Sequence, residues 1–390
     1  MVDLARRLAV ARGDAPADLV VRGGRVLSVF TREWLEADVA IVDGWIAGVG
    51  SYAGAETIDA AGRYVAPGLI DAHMHVESVK LTLDELARLI LPLGTTTIVA
   101  DPHEIANVLG ADGVHWLLDV SAAIPLDVYF MAPSCVPASP FESPRRPLTD
   151  GDLEGLMRRR RVLGLAEMMN FPGVVSGDAD ELRKLALDGA HHVDGHAPGL
   201  LDGALQAYAA AGIRSDHESL TPEEGRQRIR AGMWLLMREA SMARNLQALL
   251  PLVAELGPHR IAFCTDDRDP EDVADTGHVN GMVRDAVAAG VRPEDALAMA
   301  SLHAAQCHRL VHLGRWRPAT RPTSSSSPTS SRFARTWCSS GAVRSATCRA
   351  CLSPSGCESR CGSRPSRRAS SRFRPAARGC GRSGSCRSRS

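Results

Sequence analysis

The stretch Pro67-Gly68-Leu69-Ile70-Asp71-Ala72-His73-Met74-His75 carries an apolar run into a His-x-His pair. On a strand, residues i and i+2 point to the same side. The imidazoles of His73 and His75 therefore converge on one point where the strand ends, and neutral imidazole is a metal ligand. Alone, the pair equally describes two surface histidines. Four further predicted strands end in the same way. Glu167 closes Val162-Leu163-Gly164-Leu165-Ala166, His196 follows Val193-Asp194-Gly195, His217 follows Ser215-Asp216, and Asp266 follows Phe263-Cys264-Thr265. Each has a dull explanation, such as a solvated cap or an Asp in a turn. Six metal-compatible side chains at the same end of five predicted strands point instead to one metal centre.

These residues need a frame that gathers strand ends. From residue 64 to 310 short apolar runs alternate with longer helical patterns, which is the signature of repeated βα units. The strand candidates are 69–75, 97–101, 127–131, 162–167, 192–195, 213–217, 234–238 and 261–265, with amphipathic stretches such as 82–91 and 222–231 between them. Eight βα units in about 250 residues suit a closed parallel barrel, whose active site lies at the C-terminal ends of the strands. The rival, a doubly wound open sheet, usually has fewer strands and a Gly-rich phosphate turn, and no such turn is visible. Ahead of the barrel, residues 19–60 break into short apolar runs punctuated by Gly and Asp, reading as antiparallel strands and hairpins too small to form a core alone. The fold class is α/β: a (β/α)8 TIM-like barrel over 65–313, with a small, incomplete β-sandwich from the strands of 1–64.

The segments Asp71-Ala72-His73-Met74-His75, Asp101-Pro102-His103-Glu104-Ile105-Ala106-Asn107, Glu167-Met168-Met169-Asn170, Asp194-Gly195-His196-Ala197-Pro198, Ser215-Asp216-His217-Glu218 and Thr265-Asp266-Asp267 resemble, in order, the motif series of bacterial adenine deaminases of the amidohydrolase superfamily. The resemblance covers about residues 18–313. It implies hydrolytic deamination of adenine to hypoxanthine and ammonia at a centre of two divalent ions, with Mn or Fe favoured and Zn the third choice. It gives one ion to His73, His75 and Asp266 and the other to His196 and His217. Relatives that bridge two metals through a carboxylated lysine differ here, since the body has only Lys80 and Lys184, neither at a strand end; the resemblance assigns the bridging role to Glu167. Asp266 would act as general base and then acid. Glu218 would donate to a ring nitrogen or orient His217. His103 and Glu104 would line the substrate site, or else cap the next helix. Other amidohydrolases acting on a cyclic amidine or amide remain alternatives.

The bulk numbers hide two unlike parts. The net charge is zero, yet from Arg315 to Ser390 there are 17 Arg, 20 Ser and one acid, which leaves 28 basic and 44 acidic residues in 1–314. An acidic body gives no reason to expect nucleic acid there. Three separated cysteines in the body suggest reduced thiols, no apolar run reaches a membrane span, and the start lacks a secretory pattern, so the expected address is cytoplasmic. The expected partners are adenine as a small-molecule substrate and, left open, further copies of the chain. The 314–390 tail has too few apolar residues to fold and is expected to be disordered. We read it as the product of a frameshift near Gly314. Shifted by one frame, adjacent TCN serine codons yield only Phe, Leu, Ile or Val, and the use of 43 Arg to 2 Lys suits a G/C-rich gene. On that reading the N-terminal strands lose later partners, which would lower stability or leave a catalytically impaired deaminase. The competing view is a non-enzymatic binder working through its basic tail.

Overall fold

The computed structural model describes residues 3–320 apart from 140, 188, 190 and 191. A first helix, Leu4–Arg12, is capped by the Asp3 side chain accepting from Arg6 N at 3.1 Å and is ended by Gly13 at φ 84°. It was not expected from sequence. Five strands follow: β1 (Ala17–Ser28), β2 (Glu33–Val42), β3 (Trp45–Gly50), β4 (Gly54–Asp59) and β5 (Tyr64–Val65). Their order is β3-β2-β1-β4, with β5 also on β1. The hairpin expectation holds for β1-β2 and β2-β3, which are antiparallel. It fails for β4 and β5, which pair with β1 in parallel. After β3 the chain crosses to the far edge of the long β1, so it arrives running the same way.

Alternation along the strands gives this sheet two apolar faces. Leu19, Val21, Val39, Ile41 and Ile46 pack on one; Val20, Ala40, Val42 and Ala47 pack on the other, against Val10 of the first helix.

Eight parallel strands then appear: β6 (Leu69–Met74), β7 (Thr95–Ala100), β8 (Asp127–Ala132), β9 (Val162–Met168), β10 (Val193–Gly195), β11 (Ser215–Asp216), β12 (Trp234–Arg238) and β13 (Ile261–Cys264). Each lies within two residues of its expected bounds. The ladders run β10-β9-β8-β7-β6 and β11-β12-β13. Arg214 N donates to Val193 O at 2.9 Å across one junction, and Asp266 N donates to His73 O at 3.0 Å across the other. The strands so linked form the barrel. Most of its strands are buried along their whole length, because helices cover the outside and side chains fill the inside. Helix Leu83–Ile90 shows how the cover forms: Leu83, Leu86, Ala87 and Ile90, spaced i, i+3, i+4, i+7, are its buried face.

The barrel interior packs Ile70, Ala72, Val99, Met131, Ala166, Leu236, Ala262 and Cys264 against Ala304, Ala305, Cys307, Leu310 and Leu313 from beyond β13. The chain after β13 thus supplies part of the barrel's own core. It then returns to the N-terminal sheet. Trp316 packs on that sheet, Ile46 N donates to Thr320 O at 2.8 Å, and Ala319 N donates to Ile46 O at 3.0 Å. The outer edge of β3 is therefore paired at Ile46. The rest of the expected tail, from residue 321 on, lies outside the described residues. Among the described residues no helix is long and apolar enough to cross a membrane.

Candidate metal centre

All six sequence-derived ligand candidates meet at the C-terminal ends of the barrel strands. His73 and His75 leave β6, Glu167 sits at the end of β9, and His196, His217 and Asp266 follow β10, β11 and β13. His75 Nε2 lies 3.0 Å from Asp266 Oδ1, and His73 Nε2 lies 3.6 Å from the same oxygen. On the other side, His196 Nδ1 and His217 Nε2 lie 2.7 Å and 3.3 Å from Glu167 Oε2. The second oxygen, Glu167 Oε1, is 3.5 Å from His75 Nε2 and 3.4 Å from His103 Nδ1. Glu167 therefore spans two groups of imidazoles. His73 and His217 stack at 4.2 Å between ring centroids.

Local structure fixes each group. His75 Nδ1 lies 3.0 Å from the Asp101 carbonyl oxygen, to which it must donate, leaving Nε2 for the centre. Asp266 adopts φ 56°, the left-handed region that a non-glycine residue occupies only when its surroundings impose it. Its backbone N–H on His73 O and its C=O near His75 N supply that constraint. Asp216 and Arg228, both fully buried, hold the His196 and His217 strand ends together. Arg228 Nε donates to Asp216 Oδ2 at 2.7 Å and Nη2 to Ala197 O at 2.6 Å, while Ala197 N donates to Asp216 Oδ1 at 3.1 Å.

Burial would raise the Asp266 carboxyl, but the His73 and His75 imidazoles beside it outweigh that effect and hold the group well below the usual carboxylate range. Glu167 follows the same balance, with His196 and His217 overcoming burial. In the opposite sense, Asp266 and Glu167 raise His75 well above its ordinary value against the pull of burial. Against that same pull, Asp101 pushes His103 up to about 9.

His103 and Glu104, at the start of helix His103–Leu109, both reach the centre. Glu104 Oε2 is 3.8 Å from His75 Nδ1, and His103 and Asp101 join His75 and Glu167 in one cluster of metal-compatible atoms. Glu218 Oε1 is 3.6 Å from His196 Nδ1 and 3.5 Å from His217 Nε2. Sequence reasoning missed Arg238. Its Nη1 donates to Asp266 Oδ2 at 2.8 Å, and both Nη1 and Nη2 donate to Glu218. An arginine at the end of a strand gives no signal by itself.

The arrangement suits divalent cations. The gathered donors are nitrogen and oxygen only. Both ring nitrogens of His73 are buried with no hydrogen-bond partner, as are both oxygens of Asp101. Unsatisfied buried polar atoms are rare unless an ion, water or function accounts for them.

Comparison with known proteins bears on this geometry. Residues 64–318 match the amidohydrolase family. The adenine deaminase of Geobacillus kaustophilus (strain HTA426) is 46% identical over 317 residues, which are 81% of this chain and 55% of that protein. That of Nitratidesulfovibrio vulgaris (strain DP4) is 48% identical over 311 residues, 79% of this chain and 54% of that protein. The chain thus spans about half the length of the curated relatives it matches. Among solved structures, an adenine deaminase superposes with a TM-score of 0.53 at 16% identity, covering 78% of this chain and 88% of that one. A β-aspartyl dipeptidase from Fervidobacterium islandicum AW-1 gives 0.56 at 15%, covering 78% and 90%. At these identities the structural likeness shows the fold alone.

Proposed function

The chain belongs to the amidohydrolase family, and on that premise we propose that it deaminates adenine hydrolytically, to hypoxanthine and ammonia. The reading rests on Glu167, whose two carboxylate oxygens face different histidines, His75 on one side and His196 and His217 on the other, as a two-cation centre requires. The substrate is taken from the relatives named above, which are adenine deaminases.

His73, His75 and Asp266 would hold one cation and His196 and His217 the second, with a Glu167 carboxylate oxygen facing each group. Nitrogen and oxygen donors alone suit Mn²⁺, Fe²⁺ or Zn²⁺, and the motif resemblance is what favours Mn²⁺ or Fe²⁺ among them. Divalent cations, when bound, supply Lewis acidity that brings the pKa of water toward ~7 and so provides a nucleophile at neutral pH.

The remaining work belongs to side chains. Asp266 is ionised, so it accepts the proton of the water attacking C6 and returns it to the departing amine. Arg238 holds Asp266 Oδ2 at 2.8 Å and grips Glu218 as well, which keeps the two carboxylates at a set separation. From there Glu218 meets a ring nitrogen of the substrate or steadies His217. His103 and Glu104 line the substrate side. We read residues 1–64 as the N-terminal sheet, 65–313 as the catalytic barrel and 314–390 as a tail of frameshift origin, the whole acting in the cytoplasm on a small molecule.

The test is loss of adenine absorbance with ammonia release by the purified 390-residue chain supplied with Mn²⁺. Turnover that disappears in His73→Ala is the expected result. Soluble, metal-loaded protein that leaves adenine untouched would overturn the proposal.

A further inference from the structure

A second group of metal-compatible side chains lies apart from the centre described above. His192, Cys307 and His308 are all buried, and each offers one ligand atom within 4.8 Å of the others. His192 immediately precedes β10. Cys307 ends helix Ala304–Cys307, and His308 follows it, on the stretch of chain that enters the barrel core. The two imidazole rings lie with centroids 4.8 Å apart and planes tilted by 52°.

Hydrogen bonds fix the proton position on both rings. His192 Nε2 lies 2.7 Å from Asp194 Oδ1, and His308 Nε2 lies 2.7 Å from the Ala72 carbonyl oxygen. Neither oxygen has a proton to give: Asp194 also accepts from Ser215 Oγ at 2.7 Å, and a carbonyl only accepts. Each ring therefore carries its hydrogen on Nε2 and presents a lone pair on Nδ1. Both Nδ1 atoms are buried with no hydrogen-bond partner, and so is Asp194 Oδ2. Two bare buried acceptors in a cluster with a buried thiol are costly unless something electrophilic satisfies them. An imidazole steadied by a carboxylate or carbonyl on its far nitrogen is also the usual setting of a metal-ligating histidine.

We propose that His192, Cys307 and His308 form a separate thiolate-containing site for Zn²⁺, which pins the chain after β13 to the barrel strands. The donor set of two imidazoles and one sulfur selects a borderline-soft cation over Mn²⁺ or Mg²⁺. Zn–N bonds of about 2.0–2.1 Å and Zn–S of about 2.3 Å place tetrahedral ligand atoms roughly 3.3–3.6 Å apart. From a 4.8 Å limit, no pair of ligand atoms has to close by more than about 1.5 Å. Binding converts the Cys307 thiol to a thiolate and releases one proton to solvent. The thiolate and the Asp194 carboxylate then balance the two positive charges of the ion, so a buried dication is left neutralised. The site stands whether or not the chain deaminates adenine.

The full chain carries seven cysteines beyond residue 320, from Cys338 to Cys386, so the experiment replaces those seven with serine. The protein is then loaded with Co²⁺, which reports thiolate ligation by an intense near-ultraviolet charge-transfer band. The centre of His73, His75, Glu167, His196, His217 and Asp266 has no sulfur and cannot give this band. We expect a band saturating at one Co²⁺ per chain, displaced by Zn²⁺, retained in His73→Ala and lost in Cys307→Ser together with one bound metal. A folded, cobalt-loaded parent without the band overturns the proposal before any variant is made. So does a band that survives Cys307→Ser. Should that variant fail to fold, His308→Gln replaces it, with the same loss expected and the same survival fatal.

Discussion

Replacing Arg228 by methionine keeps the apolar stem of the side chain and removes only its guanidinium. In the native chain that group is fully buried. Its Nε donates to Asp216 Oδ2 at 2.7 Å, its Nη2 to Ala197 O at 2.6 Å, and its Nη1 to Leu200 O. Asp216 is equally buried and would keep only neutral donors, Ala197 N at 3.1 Å, Ser219 Oγ at 3.3 Å and Glu218 N at 3.4 Å. Removing one member of a buried ion pair costs about 3–5 kcal/mol. The two bared carbonyls each add about 1–3 kcal/mol before relaxation, and repacking of the methionine recovers part of that. A net loss of about 4 kcal/mol is expected, a large share of a native stability on the order of 5–15 kcal/mol. The assay is urea unfolding followed by tryptophan fluorescence on wild type, Arg228→Met, Asp216→Asn and the double variant. Because the charge is the source of the cost, Asp216→Asn in the Arg228→Met background should restore at least about 2 kcal/mol as a coupling energy. A single variant within about 1 kcal/mol of wild type, or an additive cycle, would refute this account of how the His196 and His217 strand ends are tied.

Two further outcomes follow from other parts of the fold. His303 is buried with Nδ1 3.0 Å from Ile261 O and Nε2 3.0 Å from Arg32 Nη2, and burial, helped by the Arg32 charge, pulls its pKa down to about 4. The unfolded chain, titrating near ~6.5, binds the extra proton first, so this contribution to stability is intact above that pH and falls as pH drops toward 4. At about 1.36 kcal/mol per unit the loss is roughly 3 kcal/mol; unfolding measured from pH 7 to 4 should show a shallower slope in His303→Gln, and parallel slopes would count against it. Gly164 of β9 has no room for a side chain, because a Cβ there would sit 2.0 Å from His192 O. Gly164→Ala should force β9 and β10 apart at a cost of about 3 kcal/mol or more, whereas Gly155→Ala, with nothing within 4 Å, should melt at or slightly above wild type; equal melting points for the two would contradict the packing described.

Much of the barrel and its centre was legible because both depend on short-range pattern. Apolar runs such as Trp234–Arg238 must be strands to be buried on both faces, and a ligand at a strand end reveals itself by breaking the run. The parts that were not legible depend on distant residues. Helix Leu4–Arg12 buries only Val10, so it has almost no apolar stripe to read. The parallel pairing of β4 with β1 is set by where the chain crosses the sheet, not by the composition of β4. Arg238 takes its place from Glu218 and Asp266, 20 and 28 residues away in sequence. The His192, Cys307 and His308 group joins β10 to a segment more than a hundred residues later, a link that no local spacing announces.

The backbone contact between Asp266 and His73 also sets an order of events during synthesis. The barrel is closed by the strand made last, and that strand end brings Asp266 to the histidines made first. At ~5–20 residues per second, a ribosome needs about 10–40 s to travel from codon 73 to codon 266. Throughout that interval the nascent chain exposes His73 and His75 without the carboxylate that completes their pocket. A metal taken up early would be held by an incomplete set of donors and exchange freely with its surroundings. On the proposed two-cation reading, the identity of the ion would therefore be decided late, after the last strand has docked, by whatever cation is then available to a finished ring.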